Sequence, residues 1–200
     1  PFITEGTTLA NKYWQYSRNK IECEDYLREK NRENDFTFTI VRPSHTYSEY
    51  SIPFGLHGDF GSWQIIKRMM EGKRVIVPGD GTSLWTLTHS KDFAIGYVGL
   101  MGNTHAYNEA FNITGSEVLT WNQIYQTIAD SLGVEFKPYY VSSSFLAETG
   151  KKYGYDFEGA LLGDKANSVI FDNKKLLNAV PEMKTTVLFH DGVRASIKYY

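Results

Sequence analysis

The sequence is poor in cysteine and has no long apolar run. Its 200 residues contain a single cysteine, Cys23, which excludes an internal disulfide and leads us to expect a reducing, cytoplasmic compartment. No apolar stretch approaches the roughly 18 residues that a membrane-spanning helix needs. The sequence therefore predicts neither a disulfide-stapled secreted domain nor a membrane protein.

An excess of positive charge is also missing. The chain has 21 Lys and Arg residues against 23 Asp and Glu residues, a formal net charge of −2. Such a balance offers no basic surface, so neither nucleic acid nor a membrane is expected as a partner. The five histidines and one cysteine form no cluster with metal-ligand spacing, and no metal site is predicted.

Segments of helical and strand character alternate along the chain. Helices are predicted at 13–32, 62–70, 91–100, 121–132, 173–177 and 191–200. Strands are predicted at 36–41, 74–77, 84–88, 110–114, 136–141 and 169–171. Residues 47–61 form a polar loop long enough to cover a site, and residues 149–164 a loop with a short helix. The alternation predicts an α/β fold.

Local signals also indicate where some helices begin and end. Ser62, Ser90 and Thr120 are predicted to cap the helices that follow them, because their hydroxyls can accept a hydrogen bond from the first helical turn. Residues 31–35 are predicted to end the first helix, and Gly133 to end the helix that begins after Thr120.

The sharpest chemical feature is a tyrosine and a lysine four residues apart. Tyr16 and Lys20 fall on one face of the first predicted helix, one turn apart. A nearby ammonium stabilises a phenolate, so the pair can move a proton to or from a hydroxyl near neutral pH. The spacing alone is weak evidence, because ordinary surface pairs on helices rich in Tyr and Lys have the same separation.

Five further segments follow this pair in a fixed order. They are Arg42-Pro43-Ser44-His45-Thr46-Tyr47, Gly79-Asp80-Gly81, His89-Ser90-Lys91-Asp92-Phe93-Ala94, Phe111-Asn112-Ile113-Thr114-Gly115 and Phe171-Asp172-Asn173-Lys174-Lys175. The series resembles the extended short-chain dehydrogenase/reductase family, the NAD-dependent epimerases and dehydratases. The resemblance runs from about Ile3 to Tyr200, and the segments are specific because they occur together.

The resemblance implies a two-part architecture. Residues 1–48 would be the last part of an NAD(P)-binding Rossmann-type domain, its terminal helix and strand. Residues 49–200 would be the smaller α/β substrate-binding domain. NAD or NADP and a small-molecule substrate would meet in the cleft between them, and a homodimer would form through the helix that carries Tyr16 and Lys20.

The resemblance also implies a role for each site residue. Tyr16 would be the catalytic acid/base, and Lys20 would bind the nicotinamide ribose while tuning Tyr16. Pro43 and Ser44 would contact the nicotinamide end of the cofactor. The residues facing the substrate would be His45, Tyr47 and Trp85. For His45, a loop histidine bonded to backbone is the alternative.

The family's phosphate-binding glycine fingerprint and its catalytic Ser or Thr are missing from this sequence. Both are expected to precede Pro1, so the chain is expected to be the carboxy-terminal part of a longer protein and inactive alone. Gly55, Gly58 and Gly61 spell a similar glycine pattern. They are predicted to form a loop, because the fingerprint requires glycine directly at the end of a strand.

Two further departures concern the substrate. Trp85 and Leu161 occupy places where relatives acting on nucleotide-diphosphate sugars carry arginine, whose planar fork pairs with phosphate oxygens. Lys151, Lys152 and Lys165 could supply charge instead, but loop lysines are expected to be solvated. A small hydroxylated or sugar-like substrate without a diphosphate is therefore expected.

Two alternatives stay open. One is a nucleotide-sugar epimerase or dehydratase with unconventional phosphate contacts, and the other is a non-catalytic protein of the same fold that senses a dinucleotide. Separately, His89 lies where the family often has a structural residue, so it is expected to be a hydrogen-bonding core histidine. Asp92 is expected to be a helix-start acid that favours the helix dipole.

Overall fold

The computed structural model describes residues 2–33 and 36–200 of the chain. Within these residues seven α-helices and seven strands alternate, which confirms the predicted α/β class. The helices are α1 (Gln15–Glu33), α2 (Ser62–Met70), α3 (Ser90–Leu100), α4 (Trp121–Leu132), α5 (Ser143–Lys151), α6 (Lys174–Ala179) and α7 (Phe189–Ile197). The strands are β1 (Thr39–Pro43), β2 (His45–Tyr47), β3 (Val75–Pro78), β4 (Leu84–His89), β5 (Glu109–Ile113), β6 (Glu117–Thr120) and β7 (Pro138–Val141). A 3₁₀ turn at Thr104–Ala106 and a π-helix at Glu158–Lys165 lie between them.

The described strands form three small sheets. β1 pairs in parallel with β5, and β3 pairs in parallel with β7. β4 lies at the centre of the third sheet, parallel to β2 and antiparallel to β6. The sequence pattern did not predict β2 and β6, which have three and four residues. The predicted strand at 169–171 does not form, and Phe171 makes an isolated bridge with Ile3 instead.

Two apolar cores hold the described elements together. The larger core surrounds Trp121 and Tyr125 of α4 and receives side chains from α2, β3, β4 and α7. The smaller core contains Phe111 and Ile113 of β5 with side chains of α3 and α6, and Val41 of β1 packs against it. Each such buried side chain contributes roughly 1.5–3 kcal/mol, so the larger core holds β4 in place and the smaller core holds β5, the partner strand of β1.

The pairing of β1 with β5 bears on the expected division of the chain at residue 48. Residues 109–113 share a sheet and a core with β1, although they lie within the expected second domain. We therefore propose a discontinuous first domain, in which the chain leaves after β1 and returns at β5. The rest of 49–200 then forms the second domain around α4.

The helix caps differ in part from those predicted. Thr120 caps α4 as expected, in a capping box with Gln123, and Gly133 ends the helix with a positive φ of 69°. Ser62 and Ser90 are instead the first residues of their helices. The Ser62 hydroxyl donates to the Ile52 carbonyl at 2.6 Å and is not available as a cap.

The loop after β2 agrees with the prediction, whereas the end of α1 lies later than predicted. α1 continues to Glu33, so residues 31–33 of the predicted break are helical, and Asn34 and Asp35 lie outside the described residues. Residues 48–61 form a loop, as predicted, and Phe54 of this loop is buried in the larger core. No helix in the described part of the chain combines the length and apolar character that a membrane span requires.

Candidate active site

Asn11 fixes the start of α1. Its side-chain oxygen accepts hydrogen bonds from the backbone N–H groups of Tyr13 and Trp14, at 3.1 and 2.9 Å. Its side-chain amide donates to the carbonyl of Gly163 at 2.6 Å. Asparagine suits this position because its short side chain can accept hydrogen bonds from backbone N–H groups two and three residues further on. Asn11 thereby ties the segment directly before α1 to the π-helix.

Tyr16 and Lys20 lie on one face of α1, as their spacing predicts. The Lys20 ammonium nitrogen is 5.4 Å from the centroid of the Tyr16 ring. The Tyr16 ring also lies 5.0 Å from the Trp14 ring, centroid to centroid. Tyr16 is 56% exposed, so its phenol is accessible to a small molecule bound beside α1.

Tyr16 and Pro43 border two cavities. The first, the helix cavity, has a volume of about 490 Å³, lies between α1 and β1, and is lined by Lys20 among other residues. The second, the tryptophan cavity, has a volume of about 410 Å³. Its wall includes Trp14, Ser44, His45, Trp85, Asp164 and Lys165. The predicted site residues other than Tyr47 are thus divided between two adjoining spaces that meet at Tyr16.

A bidentate ion pair stiffens the helix cavity. The Arg42 guanidinium at the end of β1 donates to both carboxylate oxygens of Glu24 on α1, at 2.8 and 2.6 Å. It also donates to the Glu5 carbonyl at 3.0 Å. The hydrogen bond to Glu24 raises the pKa of Arg42 further above its ordinary value. Such fork-to-carboxylate contacts are geometrically specific, so the pair holds the carboxyl end of β1 against α1.

His45 contributes a neutral imidazole to the tryptophan cavity. Its ring meets those of Trp85 and Trp121 edge to face, at centroid distances of 5.6 and 6.3 Å. Burial lowers the pKa of His45 to about 4, and the positive charge of Lys165 acts in the same direction. A histidine with this pKa is uncharged at neutral pH, so it can donate or accept a hydrogen bond without adding charge.

Ser44 is held in place by a buried threonine. Its hydroxyl oxygen lies 2.6 Å from that of Thr88 in β4, and Thr88 also accepts a hydrogen bond from the N–H of Gly115 at 2.7 Å. A Cβ on Gly115 would collide with the carbonyl oxygen of Leu87, so this close approach requires glycine. Ser44 is therefore oriented at the cavity wall by Thr88 of β4, and Thr88 is in turn held by Gly115, which follows β5.

Lys165 is a cavity residue that sequence reasoning did not select. Its side chain is 14% exposed, and its ammonium lies 6.0 Å from the Trp14 ring centroid and 5.9 Å from that of Trp85. The neighbouring Asp164 carboxylate is 3.5 Å from the ammonium. The expectation that this loop lysine is solvated is wrong, because the π-helix brings it beside two tryptophans far away in sequence.

A sequence profile of the NAD dependent epimerase/dehydratase family matches residues 2–114, more than half of the chain. The chain belongs to this family. It is 27% identical over 116 residues to the chloroplast stem-loop binding protein of 41 kDa b of Arabidopsis thaliana, a match covering 58% of the chain and 28% of that protein. It is 23% identical over 146 residues to 2'-dehydrokanamycin reductase of Streptomyces kanamyceticus, covering 73% of the chain and 41% of that protein.

Solved structures of epimerases and dehydratases have the same fold as this epimerase/dehydratase chain. The NAD complex of UDP-glucuronic acid 4-epimerase from Bacillus cereus superimposes with a TM-score of 0.74 at 18% identity. The match covers all of the chain and 56% of that enzyme. The chain thus spans little more than half of a solved relative and less than half of the curated ones.

Tyr47 of the epimerase/dehydratase chain does not lie where it was expected. It is 3% exposed and belongs to the larger core, where its ring meets His89 and Phe189 edge to face. A Cβ at Gly192 of α7 would contact the Tyr47 ring, and burial raises the pKa of its hydroxyl. His45 and Tyr47 lie on the same face of β2, because they are two residues apart, but Tyr47 packs against His89 and Phe189 and does not line the tryptophan cavity. Tyr47 is therefore not carried into the proposed site.

Two other expected roles can be compared with the structure. His89 is 3% exposed, and its Nδ1 accepts the N–H of Lys91 at 3.2 Å, so it is a hydrogen-bonded core residue that also caps α3. Asp92 lies in the first turn of α3 but is fully buried, and its carboxylate accepts hydrogen bonds from Thr186 and Val187. Asp92 therefore joins distant segments, which a helix-start acid alone would not do.

The described residues contain no group of three or more His, Cys, Asp or Glu side chains arranged to hold a metal ion. Leu161, at a place where arginine was considered, is fully buried and has no access to a ligand. In residues 2–33 and 36–200, the charged side chains in the wall of the tryptophan cavity are Asp164 and Lys165.

Proposed function

We propose that the chain is the acid/base and substrate-binding part of an NAD(P)-dependent epimerase/dehydratase-type oxidoreductase. Its substrate would be a small hydroxylated or sugar-like molecule in the tryptophan cavity. The observation that carries the proposal is the position of Tyr16, which borders both cavities and has an ammonium one helical turn away. The chain spans about half of its solved relatives, so the activity is proposed for the protein that contains it.

Tyr16 would exchange a proton with a substrate hydroxyl. The Lys20 ammonium, 5.4 Å from the ring centroid, would assist this exchange from one helical turn away. His45 is uncharged beside the same space, so it can orient the substrate by a hydrogen bond without competing for the proton. Ser44, fixed by Thr88, offers a second hydroxyl contact at the cavity wall.

The residues at the border of the two cavities fit a nicotinamide cofactor. Lys20 is exposed beside Tyr16 in the helix cavity, where its ammonium can donate to ribose hydroxyls, and Pro43 and Ser44 would flank the ring. NAD or NADP would supply or accept the hydride when bound. Similar proteins support this choice, since the Bacillus cereus epimerase is a complex with NAD. The chain itself has no glycine fingerprint at a strand end, so we expect it to bind NAD poorly alone.

We also propose a homodimer through α1. The helix has 19 residues, none of them buried within the described chain, and it presents large exposed side chains such as Tyr26. The relative named as a stem-loop binding protein does not lead us to include nucleic acid, because the chain has a net charge of −2. A small molecule therefore remains the proposed partner of both cavities.

An assay of the full-length protein tests this function. Oxidation or reduction of NAD(H) and NADP(H) would be followed by nicotinamide absorbance across a panel of sugars, alcohols and the corresponding ketones. We expect turnover with at least one sugar-like compound. Dinucleotide binding by calorimetry without any turnover would instead favour a non-catalytic sensing protein. Turnover with nucleotide sugars alone would favour the nucleotide-sugar alternative.

A further inference from the structure

Two glycines of the π-helix, Gly159 and Gly163, form a surface that faces the residue directly before α1. This residue is Trp14, and a Cβ built on either glycine would meet it. At Gly159 the added carbon would overlap the indole ring, and at Gly163 it would lie 2.9 Å from the Trp14 Cβ. Neither contact leaves room for a side chain. The glycine surface is therefore required for Trp14 to approach the π-helix this closely.

Asn11 joins the same two segments by hydrogen bonds. Its side-chain amide donates to the Gly163 carbonyl at 2.6 Å, and its own carbonyl accepts a hydrogen bond from the Arg18 guanidinium at 3.0 Å. Arg18 belongs to the first turn of α1, so Asn11 connects the helix to the glycine surface. Hydrogen bonds from a charged donor are stronger than those between neutral groups. Trp14 is thus held by packing and by polar contacts beside it.

The π-helix is itself anchored to the rest of the chain. Its Leu161 is fully buried, and the carbonyl of Lys165 at its end accepts three hydrogen bonds. The donors are the indole N–H groups of Trp85 at 3.3 Å and Trp121 at 3.1 Å and the Ser83 hydroxyl at 3.0 Å. π-helical turns are rare and are frequently found at functional sites. The glycine surface is therefore fixed relative to β4 and α4.

Trp14 passes this fixed position on to Tyr16. The two ring centroids are 5.0 Å apart with an angle of 40° between the ring planes, within the range of favourable aromatic pairs. Tyr16 is 56% exposed, so much of its ring is not packed against the protein. The indole therefore supplies a packing contact to a side chain that is otherwise largely open to solvent.

We propose that Trp14 is a positioning residue, which the glycine surface holds in place and which in turn sets the orientation of the Tyr16 phenol. The inference deepens the proposed function and rests on it, because this orientation affects turnover only if Tyr16 is the acid/base. A misplacement of about 1 Å can lower a rate about a hundredfold. A methyl group added to the π-helix would thus slow the reaction through Trp14, without touching Tyr16.

A double-mutant cycle in the full-length protein tests this order of action. Trp14→Leu and Gly159→Ala should each lower kcat about tenfold. Gly159 does not line either cavity, so its variant should change KM less than about twofold. Once the indole is gone the added methyl meets no ring, so the double variant should lose about tenfold and not a hundredfold. Trp14→Phe keeps an aromatic ring and should lose less activity than Trp14→Leu.

Fluorine NMR of the full-length protein labelled with fluorotyrosine measures the environment of Tyr16 without turnover. The Tyr16 signal is the one that Tyr16→Phe removes. It should shift in Gly159→Ala and in Trp14→Leu, because the ring current of the neighbouring indole changes. Gly6→Ala is the matched control and should leave the signal and kcat unchanged. A Cβ placed on Gly6 has Thr4 Oγ1, at 3.8 Å, as its nearest described neighbour.

Three results would overturn the inference. One is a Gly159→Ala protein that unfolds at the wild-type temperature and keeps the wild-type Tyr16 signal and kcat. Another is a double variant that loses activity about a hundredfold, since independent effects multiply. If Gly159→Ala does not fold, wild-type kcat and Tyr16 signal in Trp14→Leu would decide against it. A protein without turnover contradicts the proposed function, whereas a Tyr16 signal that does not respond to Trp14 contradicts the inference.

Discussion

The Lys20 ammonium lies 5.4 Å from the centroid of the Tyr16 ring. Tyr16 borders both the helix cavity and the tryptophan cavity, and Lys20 lines the helix cavity. The two side chains are close because an α-helix has about 3.6 residues per turn, so residues four apart share a face. This spacing places an ammonium group one helical turn from the phenol. The two side chains therefore form the centre of the proposed chemistry.

Tyr16→Phe in the full-length protein is expected to lower kcat by about a hundredfold or more, the scale expected for an essential acid/base. The fold should be unaffected, because Tyr16 is 56% exposed and the change removes a single hydroxyl. Steady-state kinetics and thermal unfolding measure both quantities. Tyr26→Phe is the control, since Tyr26 is 59% exposed on the same helix. Near-normal turnover of the Tyr16 variant would contradict the assignment.

His45 should make the chain less stable in acid. Its folded-state pKa is about 4 against 6.5 for the free side chain, so the unfolded chain binds a proton that the folded chain excludes. Stability from this group is complete above about pH 6.5 and is lost as the pH falls towards 4. The full loss is on the order of 3 kcal/mol.

Urea unfolding at pH 7 and pH 5 would measure this loss. His45→Gln removes the titrating group, so the variant should lose less stability than the wild-type chain between these pH values. The control is His105→Gln, because His105 is exposed on the surface. An identical decrease in the wild-type and His45→Gln chains would show that His45 titrates as a normal histidine.

Asp92→Ala should destabilise the chain by at least about 3 kcal/mol. The carboxylate accepts backbone N–H donors from Thr186 at 3.0 Å and Val187 at 3.1 Å, and it also accepts the Thr186 hydroxyl. Its removal leaves these donors without a partner in a buried place. Chemical denaturation measures the change, and Glu182→Ala at an exposed position is the control. An effect below about 1 kcal/mol would mean that water replaces the carboxylate.

Trp85→Arg is expected to destabilise the chain by about 3–5 kcal/mol and to leave UDP binding no tighter. Trp85 is 4% exposed, packs against Trp121 at 5.4 Å, and has the Lys165 ammonium beside its ring. A guanidinium there would be buried next to a like charge. Thermal unfolding measures the loss of stability, and calorimetric titration with UDP measures the affinity. Trp63→Arg is the control, because Trp63 is 38% exposed. Micromolar UDP binding by the Trp85 variant would contradict this prediction.

Local sequence was sufficient to predict much of the framework. Tyr16 and Lys20 were predicted to share one face of α1 from their spacing of four residues. Thr120 and Gly133 were predicted to begin and end α4 from their residue types and the residues beside them. Their physical causes are helical geometry and backbone hydrogen bonding within one turn, which neighbours in sequence supply. The α/β class was predicted from the alternation of helical and strand segments along the chain.

The character of the site depended on contacts between distant segments. Trp85 and Lys165 are joined across 80 residues, and Asp92 and Thr186 across 94, so no local pattern could indicate that Lys165 lines a cavity or that Asp92 is buried. β2 has three residues and exists because β4 pairs with it. The sequence by itself determined the α/β class, the two ends of α4 and the face of α1 that carries the tyrosine–lysine pair. The tertiary structure decided which charges are desolvated, because burial depends on what the rest of the chain packs against.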